Sequence, residues 1–187
     1  MTGKPLSWLV VIDLQTVFAD PGSPWATPGF GEIVDNNLAL IEAFEERVAF
    51  TRFVAPRDPL GAWRDYYDQW AFALVPRDAP IYDLVDSIPH QGHPVVTRTT
   101  FGKWDDLPGS LRDVTGGAER LVLTGVSTDC CVLSTALAAA DAGVHVQVVT
   151  DACAGMTRSD HDRAIAAMSL YAPLITLTST RDVVDRL

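Results

Sequence analysis

Residues 120 to 150 have the sequence RLVLTGVSTDCCVLSTALAAADAGVHVQVVT, in which an apolar run, a turn, an alanine-rich stretch and a second apolar run follow one another. The alanine-rich stretch ends at Gly143, a residue type suited to a helix C-terminus, and Thr128 and Asp129 are suited to cap its start. A strand, a helix and a second strand in this order are typical of a βαβ unit, whose two strands are parallel and buried. This stretch therefore predicts an α/β fold.

The same alternation extends over the rest of the chain. Six apolar runs have the length of strands: Leu6–Ile12, Val48–Phe53, His93–Thr97, Arg120–Thr124, Val144–Thr150 and Leu174–Leu177. Apolar residues recur at helical spacing over Ile33–Phe44, Leu111–Val114, Cys131–Ala142 and Asp160–Tyr171. We predict a single three-layer α/β/α, Rossmann-like domain over residues 1–187, with a six-stranded, mainly parallel sheet in the order 3-2-1-4-5-6.

Composition limits the function classes. The chain has 187 residues, 48% of them apolar and 20% charged, which is enough to build a full core. Its net charge of -10 leaves no basic stripe for phosphates, so we expect no nucleic-acid partner and no membrane partner. No apolar run approaches the roughly 20 residues that span a bilayer, and Leu6–Leu14 reaches the charge of Asp13 too early for a signal peptide. These features predict a cytoplasmic protein.

The segment Val54–Pro80 interrupts the alternation, because it is rich in proline and aromatic residues and shows little periodicity. It is long for a connection in a compact domain. We expect a short helix around Trp63–Trp70, and the segment as a whole is a candidate lid over a site or a candidate contact between subunits.

Two chemically active residues follow neighbouring strands of the predicted sheet. Asp13 ends the first strand and Cys131 follows the fourth, and ligands of parallel α/β sheets bind beyond the carboxyl ends of such strands. At the start of a helix, Cys131 would meet unpaired N–H groups that favour the thiolate and can hold an oxyanion. Cys130 would point about 100° away and is expected to pack. These residues alone leave two alternatives open: Asp13 could be a cap, and Cys131 could be a buried apolar residue.

The sequence around both residues resembles a known family. The strings Val10-Val-Ile-Asp-Leu-Gln15 and Leu121-Val-Leu-Thr-Gly-Val-Ser-Thr-Asp-Cys-Cys-Val132 resemble the isochorismatase-like hydrolases, which include nicotinamidases and N-carbamoylsarcosine amidohydrolases. The family pattern G-x-x-T-D-x-C-V-x-x-T fits the segment from Gly125 to Thr135 and selects Cys131 over Cys130. The likeness extends over nearly the whole chain.

The resemblance implies a mechanism. Family members use an Asp-Lys-Cys triad, so Asp13 is expected to move the protons and Cys131 to attack an amide-like carbonyl, giving a thioester that water hydrolyses. A cis peptide bond is expected between Val126 and Ser127, and the N–H groups of Ser127 and Cys131 are expected to form the oxyanion hole. Because Gly125-Val-Ser-Thr-Asp129 has the start of a G-x-S-x-G pattern with Ser127 as its serine, a serine hydrolase is a minor alternative. The family also implies a small-molecule substrate and a homo-oligomer, either a dimer or a tetramer.

The lysine of the triad is where this sequence departs from the family. The ungapped match is Arg98, and Lys103 lies five positions further on. We favour Lys103, because an arginine cannot donate its proton and its guanidinium needs more room. If neither cation serves, the alternative is a catalytically silent binding or scaffold protein that kept the fold.

The metal ligands of nicotinamidases are also missing, since no Asp-x-His pair follows the second strand. We therefore predict no catalytic metal and no cofactor. Around the triad we expect Gln15 to support Asp13, Phe18 and Trp104 to wall the pocket, and Arg98 and Asp129 to lie close by.

Overall fold

The structure is a computed structural model that describes residues 7–187 and places six strands of that range in one sheet. The strands are Ser7–Ile12 (β1), Val48–Phe53 (β2), Val95–Arg98 (β3), Arg120–Val126 (β4), His145–Ala154 (β5) and Ile175–Thr178 (β6). Their order is β3-β2-β1-β4-β5-β6, and each neighbouring pair is parallel. The predicted fold class and strand order are confirmed. The first strand was predicted to begin at Leu6, which lies outside the described residues.

Seven α-helices connect or flank these strands within residues 7–187. They are Thr16–Ala19 (α1), Val34–Phe44 (α2), Ala62–Gln69 (α3), Leu111–Val114 (α4), Leu133–Asp141 (α5), Arg158–Ser169 (α6) and Thr180–Val184 (α7). Shorter 3-10 turns cover Phe30–Ile33, Ala71–Ala73 and Pro80–Tyr82, and a π-helical turn covers Thr128–Val132. Over the same range, no helix combines the length and apolar character that crossing a membrane requires.

Strand β1 shows how the sheet separates two cores. Leu9 and Val11 pack on the side of α2 and α7, whereas Val10 and Ile12 pack on the side of α5 and α6. All four side chains are fully buried, as the two-residue period of a strand requires when helices cover both faces. This explains the unbroken apolar run before Asp13, and it fixes the end of β1 in the centre of the molecule.

The proline-rich and aromatic segment that follows β2 lies over the carboxyl ends of the strands. The short helix expected around Trp63–Trp70 is α3, and the turn Ala71–Ala73 follows it. Trp63 of α3 packs against Phe53 at the end of β2, with 6.4 Å between ring centroids, and against Phe101 beyond β3, with 5.1 Å. The segment therefore covers the edge of the sheet at which Asp13 and Cys131 lie.

Candidate active site

Asp13 leaves β1 in an unusual backbone conformation. Its φ of 51° lies in the left-handed region, which aspartate tolerates better than most residues. The side chain is fully buried, and the hydroxyl of Thr51 on β2 donates to its Oδ1 at 2.5 Å. The Asp13 N–H in turn donates to the Thr51 hydroxyl at 3.2 Å. Thr51, which the sequence did not point to, thus fixes both the backbone and the carboxylate of Asp13.

Lys103 supplies the positive charge that pairs with the Asp13 carboxylate. Its Nζ lies 2.9 Å from Asp13 Oδ2, and neither side chain is exposed to solvent. The ammonium also donates to the carbonyl oxygen of Thr100 at 2.9 Å and lies 5.0 Å from the centre of the Phe53 ring. Buried charges need such partners, because each loses its hydration. The turn after β3 therefore returns Lys103 to the crevice.

Arg98, the ungapped match, lies elsewhere. Its Nε is 2.7 Å from Oδ2 of Asp105, which follows β3, and its Nη1 donates to the carbonyl oxygen of Thr97 within β3. Within residues 7–187, Arg98 forms its ion pair with Asp105 and none with Asp13, whose partner is Lys103. The expectation that Arg98 lines or supports the site is wrong, because Asp105 holds its guanidinium.

Cys131 lies in the π-helical turn between β4 and α5 and is 3% exposed. Its thiol is within hydrogen-bonding reach of the Asp13 carboxylate. Burial raises the pKa of Cys131 well above its ordinary value, and the charge of Asp13 raises it further, while Lys103 acts in the opposite direction. Burial therefore opposes the thiolate that the helix start was expected to favour, and it favours the protonated thiol.

The start of this helix also differs from the prediction. Neither Thr128 nor Asp129 caps α5, which begins at Leu133 after the π-helical turn. The hydroxyl of Thr128 instead hydrogen-bonds His161 of α6 at 2.9 Å. Asp129 accepts hydrogen bonds from the Ser127 hydroxyl and from the Met156 N–H, the latter at 3.0 Å. Asp129 thus lies beside the site, where it braces the turn that carries Cys131.

Gly125 allows β1 and β4 to meet at the site. It pairs with Ile12, the residue before Asp13, and its φ of 107° is unfavourable for residues with a side chain. A Cβ at this position would lie 2.0 Å from the carbonyl oxygen of Ile12. Immediately after it, the peptide bond between Val126 and Ser127 is cis, the isomer that the family resemblance implies.

A cavity of about 280 Å³ opens onto Cys131. Its walls are mostly aromatic, and among residues 7–187 no charged side chain lines it. The wall is formed by Phe18, Trp25, Phe53, Tyr66, Trp70, Phe101, Ser127, Cys130, Cys131 and Met156. Its size and apolar walls are typical of a small-molecule site. Burial raises the pKa of Tyr66 above its ordinary value, so this phenol stays neutral. The cavity thus offers an apolar, uncharged space beside a buried ion pair.

The remaining predicted residues fall in three places. Phe18 lines the cavity, as expected. Gln15 is fully buried but bonds the backbone of Phe53 and Tyr82 rather than the carboxylate of Asp13, so it supports the strand ends. Trp104 does not line the cavity, and that expectation is wrong: it packs in the core on the side of α5 and α6. Its neighbour Lys103 takes the position facing the site.

Sequence patterns missed part of the cavity wall. Cys130 was expected to pack, yet it is half-buried and lines the cavity, with its thiol donating to Asp129 at 3.7 Å. A π-helical turn displaces side chains from α-helical positions, so the angle of about 100° between neighbours did not apply. Tyr66 and Met156 also line the wall, and an aromatic-rich segment was the only signal for Tyr66.

In the described part of the chain, the strand ends offer no set of metal ligands. Where the nicotinamidase pair would follow β2, the chain has the buried side chains of Val54 and Ala55 and then Pro56. Within residues 7–187, no three histidine, cysteine, aspartate or glutamate side chains are grouped to hold a metal. The residues after β2 therefore do not fit the metal site of the nicotinamidases that the sequence resembles.

Comparison with solved structures shows the fold. The chain superposes on the cysteine hydrolase from Pseudomonas syringae pv. phaseolicola 1448A with a TM-score of 0.84 and 19% identity, covering 100% of this chain and 98% of that one. The pyrazinamidase of Pyrococcus horikoshii in complex with zinc gives a TM-score of 0.71 and 24% identity over 94% of this chain and 99% of that one.

Comparison with named sequences shows shorter matches. The nicotinamidase of Escherichia coli (strain K12) is 38% identical over 64 residues, which are 34% of this chain and 30% of that protein. Isochorismatase family protein 2B of Dictyostelium discoideum is 27% identical over 108 residues, 52% of this chain and 50% of that protein. The matches therefore span half or less of either relative. A family model for the isochorismatase domain, in contrast, matches residues 7–180, and the chain therefore belongs to the isochorismatase domain family.

Proposed function

We propose that this protein hydrolyses a C–N bond of a small amide through a thioester on Cys131. The observation that carries the proposal is the fully buried Asp13–Lys103 ion pair, at 2.9 Å, within reach of a thiol that lines an aromatic cavity. The names of two relatives, a nicotinamidase and a pyrazinamidase, denote amidases and agree with this chemistry.

In the first half of the reaction, the Asp13 carboxylate takes the thiol proton as the Cys131 sulfur attacks the amide carbon. The N–H groups of Ser127 and Cys131 hold the negative oxygen that forms. The C–N bond then breaks, Asp13 gives its proton to the leaving nitrogen, and an acyl thioester remains on Cys131.

In the second half, Asp13 takes a proton from water, whose oxygen attacks the thioester carbon. The C–S bond breaks, the sulfur regains the proton from Asp13, and a carboxylic acid leaves. Lys103 keeps its proton throughout, and its charge offsets that of Asp13 and of the transient thiolate. Since the resting thiol is protonated, catalysis depends on Asp13 in each cycle.

A silent scaffold is the competing class, motivated by the arginine at position 98. The ion pair between Lys103 and Asp13 argues against this class, because a buried lysine five positions after Arg98 lies beside the carboxylate.

The test is release of ammonia or amine from a panel of small amides, with Cys131→Ala and Cys153→Ala as a matched pair. Both thiols are buried, but Cys153 does not line the cavity. We expect activity in the wild type and in Cys153→Ala, and at least about a thousandfold loss in Cys131→Ala. Equal activity in Cys131→Ala, or none in a folded wild type across the panel, contradicts the proposal.

A further inference from the structure

The sheet has two edge strands, β3 and β6, and they differ in how they are shielded from other chains. Within residues 7–187, β3 has β2 as its single neighbouring strand and β6 has β5. An edge strand exposes a row of backbone N–H and C=O groups to which another strand can add. Proteins usually block such an edge with charges, prolines or a covering segment.

A charged side chain blocks the β3 edge. The N–H group of Phe50 on β2 donates to the carbonyl oxygen of Pro94 at 2.9 Å. Because backbone groups alternate in direction along a strand, those of Thr97, three residues further on, face the open side. The Arg98 guanidinium covers that side, since its Nη1 donates to the Thr97 carbonyl oxygen at 3.1 Å and its Nε pairs with Asp105 at 2.7 Å.

The β6 edge lies in an uncharged part of the chain. The N–H group of Val146 on β5 donates to the carbonyl oxygen of Leu174 at 2.9 Å, so by the same alternation the backbone groups of Leu177 face the open side. Residues 164–180 span the second half of α6, the following turn and β6, and they form the longest run of the chain without a charged residue. This part of the sequence therefore supplies no charge that could block β6.

Large apolar side chains are exposed at the same edge. Ten such side chains are exposed within residues 7–187, and four of them lie between positions 170 and 177: Leu170, Tyr171, Leu174 and Leu177. The turn before β6 holds the first three together, because the Leu174 N–H donates to the Tyr171 carbonyl oxygen at 2.9 Å. A cluster of exposed apolar side chains is typical of a surface that contacts another protein.

Charge favours a second copy of this chain as that protein. The net charge of -10 makes two copies repel each other, and the repulsion is weakest where they meet through uncharged surface. The backbone of Leu177 is also self-complementary. Across a two-fold axis, its N–H and C=O can bond the C=O and N–H of Leu177 in the other copy.

We propose that two copies of this chain associate through β6, with the two β6 strands antiparallel across a two-fold axis at Leu177. The two six-stranded sheets then form one continuous sheet, and the apolar turn before β6 packs against the partner. The inference is independent of the proposed function, because no residue of β6 lines the cavity at Cys131.

The test is the mass of the assembled protein, measured by sedimentation from about 1 µM to about 100 µM protein. We expect the wild type to be an assembly of at least two chains. Leu177→Lys places like charges opposite each other at the two-fold axis, so we expect it to halve that mass and to raise the dissociation constant at least about a hundredfold. Leu107→Lys is the matched control: Leu107 is exposed beyond β3, at the other edge of the sheet, and we expect the wild-type mass.

Leu177→Pro separates strand pairing from the burial of apolar surface. Proline is uncharged but has no N–H to donate, and an edge strand accepts it where the lost N–H faces away from the sheet. We expect Leu177→Pro to dissociate as Leu177→Lys does. A Leu177→Pro protein that stays assembled would overturn the inference. So would dissociation of Leu107→Lys, or a wild type that is a monomer at every concentration.

A second measurement needs no variant, so it decides the inference even if substitutions at position 177 unfold the protein. Hydrogen–deuterium exchange is followed residue by residue in the wild type over the same concentrations. We expect the Leu177 amide to be protected wherever sedimentation finds the assembly, and to exchange faster where it finds single chains. The Thr178 amide, which faces β5, stays protected in both. A Leu177 amide that exchanges freely within the assembly contradicts the inference.

Discussion

At the scale of single residues, the candidate site is built around the carboxylate of Asp13. Thr51 donates to one of its oxygens, Lys103 faces the other at 2.9 Å, and the thiol of Cys131 lies within hydrogen-bonding reach. Each contact comes from a different part of the chain. Removing Thr51 or Lys103 leaves one oxygen of the buried carboxylate without its partner, so the contributions of these two contacts can be measured separately.

Lys103→Met removes the ammonium but keeps most of the side-chain volume. It leaves the buried carboxylate of Asp13 unpaired, so we expect a loss of about 3–5 kcal/mol in the free energy of unfolding and at least a hundredfold loss in kcat/KM. Urea denaturation and amide hydrolysis measure the two effects. Arg98→Gln is the control: its ion pair is partly exposed, and we expect a cost of about 1 kcal/mol or less with activity kept. If Arg98→Gln lost activity and Lys103→Met kept it, the catalytic cation would be Arg98 rather than Lys103.

Thr51→Val and Thr124→Val form a second matched pair, since both threonines are fully buried in β2 and β4, the two strands that flank β1. Thr51 bonds Asp13 twice, whereas the hydroxyl of Thr124 has no hydrogen-bond partner within residues 7–187. We expect Thr51→Val to cost about 1–3 kcal/mol of stability and to lower kcat, and Thr124→Val to be neutral or stabilising. Thermal unfolding and initial rates check both variants. Equal effects would show that the Thr51 bonds to Asp13 contribute nothing specific.

The sequence allowed much of this arrangement to be predicted, but not all of it. Asp13 and Cys131 follow neighbouring strands, so the topology alone brings them together. Lys103 lies in the turn after β3, and only the path of that turn decides that Lys103 faces the site while Trp104 enters the core. Thr51 was not predicted, because a threonine within an apolar strand gives no signal before strand pairing is known.

At the scale of elements, the positions of the strand ends determine the geometry of the site. Apolar runs predicted the strands well, because buried parallel strands are continuous in hydrophobicity. Patterns failed where the backbone is irregular: α5 starts two residues later than predicted, after the π-helical turn that carries Cys131. Hydrophobic periodicity does not distinguish such a turn from the first turn of an α-helix.

Gly125→Ala tests the contact between the ends of β1 and β4. The new Cβ would overlap the backbone of Ile12 and would require an unfavourable φ, so we expect a loss of more than about 3 kcal/mol in stability, together with lost activity. Gly31→Ala is the control, because nothing lies within 4 Å of the added Cβ. Chemical denaturation compares the two. A Gly125→Ala protein as stable as Gly31→Ala would contradict the strand contact described for Gly125.

At the scale of the whole molecule, the fold holds three thiols in their protonated form. Burial raises the pKa of Cys131 well above its ordinary value, that of Cys130 to about 11 and that of Cys153 to about 12. In the unfolded chain these thiols ionise at about pH 8.5. The unfolded state therefore binds fewer protons than the folded state above that pH, and stability declines as pH rises.

We accordingly expect the free energy of unfolding to fall between about pH 8 and about pH 9.5, below the range where tyrosines ionise. Each fully shifted thiol contributes at most about 1.4 kcal/mol per pH unit. Urea denaturation at several pH values measures the slope, and Cys131→Ala is expected to reduce it. Identical slopes in the variant and the wild type would mean that the Cys131 thiol is not held protonated by the fold.

The proposed thioester on Cys131 depends on all three scales, since it requires the Asp13 contacts, the strand ends and the aromatic cavity together. Its most direct test is rapid acid quenching of the protein during turnover of a hydrolysed amide, followed by mass spectrometry of the intact chain and of the peptide that contains Cys131. We predict a mass increase equal to the acyl group, located on Cys131 and absent in Cys131→Ala. Turnover without an acyl adduct at any quench time, or with the adduct on another residue, would contradict the account.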